Sequence, residues 1–119
     1  MTDQQLVNLA YLEEISGGDE ELIIEMIEMF LDIVPDTLSN MENLHEQKEW
    51  EDLRAQAHKL KPNMAYMGID TGRELLQEIE KHAENGDSSE IDNKLERLNS
   101  ISETAIARLR EILEDLKKS

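Results

Sequence analysis

The chain has 119 residues, the size of one domain, so residues 1–119 are expected to share a single hydrophobic core. Its 28 Asp and Glu against 12 Lys and Arg give a formal net charge of −16, which argues against nucleic acids and anionic membrane surfaces as partners. The absence of cysteine excludes disulfides, thiolate metal sites and cysteine nucleophiles. No apolar run is long enough for a membrane span or a signal peptide, and we therefore expect a cytoplasmic protein.

The spacing of the apolar residues predicts helices along almost the whole chain. Hydrophobic residues make up 39% of the sequence and recur every three or four positions, whereas the alternation typical of strands is absent. So charged a chain could be disordered, but this regular apolar spacing indicates a packed helical domain instead.

The first predicted helix is short and weakly amphipathic, runs from Thr2 to Ile15, and begins at a capping box of Thr2 and Gln5. After the Gly17-Gly18 break, Asp19 is predicted to cap a long second helix. Pro35 should kink that helix, which ends loosely at 47–49 because no Gly or Pro occurs there. Its predicted core stripe consists of Ile23, Ile27, Phe30, Val34, Leu38, Met41 and Leu44.

Three further helices follow. One runs from Trp50 to Met67 and ends at Gly68, and the next begins at a capping box over 71–74 and ends at 85–87. The last begins at Ser88 or Ser89. Their predicted core residues are Leu53, Ala57, Leu60, Met64, Met67, Leu75, Leu76, Ile79, Ile91, Leu95, Leu98, Ser102, Ala105, Leu109, Ile112 and Leu116.

The short connections between these helices favour antiparallel neighbours. The sequence therefore predicts an all-α fold, an antiparallel up-down-up-down four-helix bundle with a short N-terminal lead helix.

One segment stands out chemically, because residues 53–69 contain no Asp or Glu although the chain is strongly acidic. The segment holds Arg54, Lys59 and Lys61 together with His58, and so forms a local positive region on a negative domain. His45 and His82 are instead expected near helix C-termini, where a cation interacts favourably with the helix dipole. This structural role is sufficient to explain both residues.

Helical spacing places Arg54, His58, Lys61, Pro62 and Ala65 on one face beside the core stripe. His58 is therefore predicted to be exposed, with a cation one turn away on either side. Such neighbours disfavour the imidazolium, so we expect a neutral ring able to attack a phosphoryl group that the same cations would hold.

These residues resemble the signature of histidine-containing phosphotransfer (HPt) domains. The match consists of Ala57-His58-Lys59-Leu60-Lys61-Pro62 followed by Gly68, and the order and lengths of the helices agree over nearly the whole chain. The resemblance implies that His58 is the phosphoacceptor, Lys61 stabilises the phosphoryl group and Gly68 makes the turn after the active helix. Glu80 matches a position where members often carry a Glu or Gln that hydrogen-bonds the imidazole. Pro62 departs from the family, because many members have Gly there.

The resemblance also implies a function. HPt domains shuttle a phosphoryl group between aspartates of receiver domains, so the implied partners are response-regulator receivers and a hybrid sensor histidine kinase. Mg²⁺ would come from the receiver, and no intrinsic cofactor or metal is expected. The chain would be a monomeric phosphotransfer intermediate without enzymatic turnover of its own. Besides Arg54 as electrostatic support, the residues expected to contact a partner are Lys59, Pro62, Ala65, Gly68, Ile24 and Leu31.

Two alternatives remain open at this level. The chain could be a helical adaptor that binds a partner helix or a receiver without phosphotransfer. It could also be the dimerisation domain of a larger enzyme or a kinase core, against which the lack of an ATP-binding fold counts. Met1 and the absence of a linker favour a whole protein over an excised kinase end.

Overall fold

The regular spacing of apolar residues produces five helices within residues 6–118, which the computed structural model describes. They are α1 (Ala10–Ser16), α2 (Glu20–Glu46), α3 (Trp50–Tyr66), α4 (Asp70–Glu84) and α5 (Ser88–Lys118). The same residues contain no strand. The predicted all-α class is therefore confirmed.

The four long helices form an antiparallel bundle about 47 Å in its longest dimension. Helix α2 packs against α3 and α5, and α4 packs against the same two helices, so the four close around one core while α1 lies against α2. The predicted core residues are buried, apart from Leu44, Ile112 and Leu116, which are half-buried. The up-down-up-down architecture with a short lead helix is confirmed.

The beginnings of the helices agree only partly with the prediction. Asp19 caps α2 as expected, because its carboxylate accepts hydrogen bonds from the backbone N–H groups of Glu21 and Leu22. Helix α1 is shorter than predicted, since residues 7–9 are not helical and the Asn8 side chain accepts a hydrogen bond from the N–H of Ala10. The predicted capping box of Thr2 and Gln5 lies outside the described residues.

The capping box predicted over 71–74 is wrong. Helix α4 already begins at Asp70, and Ile69 precedes it without a side-chain cap. The turn after α3 is so tight that the chain re-enters a helix at once, which places Thr71 inside the first turn. Asp70 there lies near the positive end of the helix dipole.

Neither proline ends its helix. Pro35 lies inside α2 and Pro62 inside α3, and both helices continue past them. Because proline has no N–H, the carbonyls of Leu31 and His58 each lack the hydrogen bond that a residue four positions later normally donates.

Gly68 makes the turn that joins α3 to α4. Its φ of 67° is left-handed, its N–H donates to the carbonyl of Ala65, and the N–H of Ile69 donates to the carbonyl of Met64. These two bonds define a Schellman motif. The N-terminal segment crosses directly over this turn, where the N–H of Asn8 donates to the carbonyl of Met67 at 3.0 Å.

A side chain at this turn would collide with the chain above it, because a Cβ built on Gly68 overlaps the backbone carbonyl of Asn8. Gly68 is thus required both by its left-handed backbone and by the close approach of a second segment.

Among the helices of residues 6–118, none combines the length and the apolar character that crossing a bilayer requires.

Gly68→Ala is expected to lower the free energy of unfolding by at least about 3 kcal/mol, because left-handed strain adds to the collision with Asn8. Gly17 is a matched control, since its φ is 65° but a Cβ there meets open space. Gly17→Ala should cost only about 1 kcal/mol. Urea unfolding followed by circular dichroism measures both, and equal losses would show that the Asn8 contact does not constrain the turn.

Candidate functional site

One carboxylate joins the side chains of α3 and α4 at the candidate site. The Nδ1 atom of His58 lies 2.8 Å from Oε1 of Glu80, and the Nζ atom of Lys61 lies 3.1 Å from the same oxygen and 3.2 Å from Oε2. The spacing of three residues on α3 directs His58 and Lys61 toward the neighbouring helix. The structure therefore brings together three of the residues singled out from the sequence.

This contact fixes which ring nitrogen is free. An ionised carboxylate only accepts hydrogen bonds, so in the neutral ring of His58 the proton lies on Nδ1 and the lone pair on Nε2. The imidazole is 71% exposed, and within residues 6–118 no hydrogen bond involves Nε2. In the neutral ring, this arrangement presents the Nε2 lone pair to solvent.

The charge around the ring differs from the purely cationic surroundings expected from Arg54 and Lys61. The charged group in contact with His58 is the Glu80 carboxylate, and the Lys61 ammonium binds the same group. Lys61 and Glu80 are only 22% and 18% exposed, so water screens their ion pair less than a surface pair. The site is a lysine–glutamate pair beneath an exposed imidazole.

The other two cations of the region are more distant from this contact. Arg54 is exposed and lines a cleft of about 500 Å³ between the start of α3 and the end of α4, with Trp50 and Glu84 among its neighbours. Lys59 is exposed on the side of α3 that turns toward α2. Both can contribute long-range positive potential without touching the imidazole.

The expected docking face on α3 is accessible around His58. Pro62, one turn after the histidine, is exposed, while Ala65 and Gly68 further along are half-buried. Since Pro62 cannot hydrogen-bond the carbonyl of His58, that carbonyl remains available to water or to a partner.

Ile24 and Leu31 are half-buried, and they lie on the flank of α2 that faces away from α3. They share a helix face with Glu28 and Pro35. Glu28 pairs with Lys117 of α5, and Pro35 lines a cleft against α5. The two residues therefore face α5, away from the helix that carries His58.

The opposite flank of α2 carries apolar side chains that were not singled out from the sequence. Leu22, Met29 and Ile33 are 38%, 59% and 43% exposed. With half-buried Met26 they follow steps of four, three and four residues, and this spacing is a second apolar stripe that the sequence already contained.

Helix α1 packs against α2 and carries two further exposed apolar side chains, one of which contacts α3. Tyr11 and Ile15 are 49% and 45% exposed, and the Tyr11 ring stacks on Tyr66 with centroids 6.1 Å apart. Tyr66 lies eight residues after His58, or about 12 Å along the axis of α3. We call Tyr11, Ile15, Leu22, Met29 and Ile33 the α1–α2 apolar surface.

The remaining histidines lie elsewhere, at the ends of helices. In the last turn of α2, the Nε2 atom of His45 lies 3.1 Å from the backbone carbonyl oxygen of Ser88. In the last turn of α4, the Nδ1 atom of His82 lies 3.5 Å from Oδ2 of Asp87. Over residues 6–118, no group of three or more His, Asp or Glu side chains is arranged to hold a metal ion.

The fold is that of a solved HPT domain. The HPT domain of the Hpt sensor hybrid histidine kinase from Shewanella superposes with a TM-score of 0.79 and 20% sequence identity, over 93% of this chain and 96% of that one. At this identity the likeness establishes the fold. No curated protein sequence matches the chain significantly.

The family follows from the sequence itself. The sequence model of the Hpt domain matches residues 25–119, which cover most of α2 and all of α3 to α5 and include His58, Lys61, Gly68 and Glu80. The chain therefore belongs to the Hpt domain family, the phosphotransfer modules of two-component relays.

Proposed function

We propose that this chain is a phosphorelay intermediate in which His58 accepts a phosphoryl group from a receiver-domain aspartyl phosphate and passes it to another receiver aspartate. The observation that carries the proposal is the contact between Nδ1 of His58 and Glu80 at an imidazole that is 71% exposed. In the neutral ring, this contact would hold the proton on Nδ1 and leave Nε2 free to attack.

In the first step, the Nε2 lone pair attacks the phosphorus of the acyl phosphate in line. The bond between nitrogen and phosphorus forms as the bond between phosphorus and the aspartyl oxygen breaks, and the receiver regains its carboxylate. The imidazole becomes positively charged as Nε2 bonds to phosphorus, and the Glu80 carboxylate on Nδ1 stabilises that charge. The reverse step onto a second receiver restores the starting state.

Lys61 would neutralise the charge of the transferred group. It lies one helical turn after His58, and its ammonium is held against Glu80 in the unphosphorylated protein. Phospho-His58 would bring phosphoryl oxygens into the space above this pair, where the flexible lysine stem can turn the ammonium toward them. Arg54 and Lys59 would add positive potential at longer range.

The remaining chemistry would come from the partner. Phosphoryl transfer to or from an aspartate needs a divalent cation to balance the phosphoryl oxygens. We assign Mg²⁺ and its carboxylate ligands to the receiver. The chain would then be consumed and regenerated as a substrate of the relay, without turnover of its own.

The α1–α2 apolar surface would form the apolar part of the receiver contact. All five of its side chains are large and solvent-exposed, and the stacking of Tyr11 on Tyr66 connects them to the helix of His58. A few well-packed side chains at the centre of an interface supply most of its binding energy, and tyrosine is enriched among them. This replaces Ile24 and Leu31 as the expected contact residues.

The test of phosphotransfer uses two donors. Phosphoramidate, which needs no partner protein, and a panel of receiver domains loaded with acetyl phosphate and Mg²⁺ should both yield an acid-labile, base-stable phosphate on the wild-type chain. His58→Gln should abolish the label from both donors. Lys61→Ala should slow transfer from the receivers about a hundredfold, because a stabilising cation is lost.

His45→Gln and His82→Gln serve as matched controls and should retain the label. Label that survives His58→Gln would place the phosphoacceptor elsewhere. If phosphoramidate labels His58 but no receiver in the panel does, the adaptor function without phosphotransfer is supported instead.

The position of the ring proton provides an independent test. Removing the carboxylate in Glu80→Ala should change the tautomer ratio of His58 by about tenfold or more, because a hydrogen bond to a charged group is lost. The ¹⁵N shifts of the two ring nitrogens report this ratio. Glu74→Ala, an exposed glutamate on the same helix, should leave the shifts unchanged. An unchanged ratio in Glu80→Ala would remove Glu80 from the orientation of the ring.

The apolar surface can be tested by adding a charge. Met29→Glu should weaken transfer from a phosphorylated receiver by about tenfold or more, because a carboxylate would be buried in the complex. Labelling by phosphoramidate should be unaffected. Asn93→Glu adds the same charge to an exposed position on α5 and should leave both reactions unchanged. Equal rates for Met29→Glu and the wild type would exclude this surface from docking.

A further inference from the structure

A long polar cleft follows the seam between α2 and α5, where neither helix contributes to the His58 site. Its two adjoining parts have volumes of about 420 and 470 Å³, and both are lined by Glu42 and Asn99. The Asn99 amide donates a hydrogen bond to the Glu42 carboxylate, which joins the two helices at the middle of the cleft. The volumes are in the range of small-ligand sites.

The cleft is lined by carboxylates along its length. On α5, Asp92, Glu96 and Glu103 share one face, since they follow steps of four and seven residues. Glu42 and Glu46 face them from α2. Against these five carboxylates the lining contains one ammonium, that of Lys48 at the far end.

The floor of the cleft contains a polar atom without a partner. Ser102 is 1% exposed and lines the cleft, and its hydroxyl oxygen has no hydrogen-bond partner within residues 6–118. A buried hydroxyl without a partner is unfavourable, so native proteins usually satisfy such a group with protein, water or a ligand. Its lone pairs can accept a hydrogen bond from an ammonium group.

Apolar side chains separate these polar groups. Pro35, Leu38 and Ile106 line the part of the cleft around Ser102, and Leu95 lines the other part. A ligand that fits must therefore be elongated, with cationic groups separated by aliphatic segments.

We propose that the cleft between α2 and α5 binds a linear aliphatic polyamine. One ammonium group would donate to the Ser102 hydroxyl between Glu42 and Glu103, and a second would lie among Glu46, Asp92 and Glu96. The methylene chain between them would lie along Leu95 and Ile106. A cation bound in a cleft is stabilised by opposite charges and by hydrogen-bond partners, and this cleft supplies both.

The test is a titration of the full chain with spermidine, followed by ¹⁵N–¹H correlation spectra at physiological ionic strength. We expect saturable shifts confined to amides of α2 and α5 that line the cleft. A short lysine-containing peptide, as a second arm, distinguishes a free amine from a protein side chain as the source of the ammonium group. Saturable binding of the peptide but not of spermidine would overturn the proposal.

Two variants and their matched controls separate the cleft from general attraction to an acidic protein. Ser102→Ala removes the hydroxyl and should weaken spermidine binding about fivefold, whereas Ser100→Ala, exposed on the same helix, should not. Glu103→Gln should weaken it about tenfold or more, whereas Asp115→Asn, an exposed carboxylate outside the cleft, should not.

The folding of each variant is checked by its unfolding transition, and Ser102→Ala should be at least as stable as the wild type because it removes an unsatisfied polar group. Shifts spread over all the acidic helices, or equal losses in the variants and their controls, would overturn the proposal. Phosphoramidate labelling of His58 is independent of these outcomes, so failure here leaves the phosphotransfer proposal unaffected.

Discussion

The Glu80 carboxylate is the constraint on which the arrangement of the site depends. The half-buried carboxylate of Glu80 on α4 contacts both His58 and Lys61 on α3. Both contacts exist only when the two helices keep the same axial register, that is, the same relative position along their axes, and the same relative rotation. Breaking this register would leave a carboxylate and an ammonium poorly solvated, which costs more than the loss of a surface pair. The imidazole is therefore positioned by the packing of two helices rather than by its own rotamer preference.

The register has a local origin in the turn between the two helices. The Schellman motif at Gly68 reverses the chain within three residues, so little freedom remains in how α4 returns along α3. Asn8 lies across the turn and leaves no room for a side chain. A glycine ten residues after the histidine thus determines where the carboxylate meets the ring, although it touches neither.

The sequence allowed the helices, their core faces and the contact between His58 and Glu80 to be anticipated, because apolar spacing and the HPt signature are local signals. It did not reveal which flank of α2 faces α3. Ile24 and Leu31 on one flank and Leu22, Met29 and Ile33 on the other are equivalent until the partner helices are in place. The sequence also contains no clear signal for the end of α2. The left-handed conformation after this helix is taken by Lys48, with φ of 57°, and not by a glycine.

The span shared with the family begins at residue 25, yet the segment before it belongs to the same core. Leu6, Val7 and Leu12 are buried with the residues of the bundle, and Asn8 and Tyr11 contact the end of α3. The hydrophobic core thus extends beyond the span that matches the family model. This leading segment carries three of the five exposed apolar side chains and none of the groups around the imidazole. If the α1–α2 apolar surface docks the receiver, substitutions in this segment would change the choice of partner without altering the chemistry at His58.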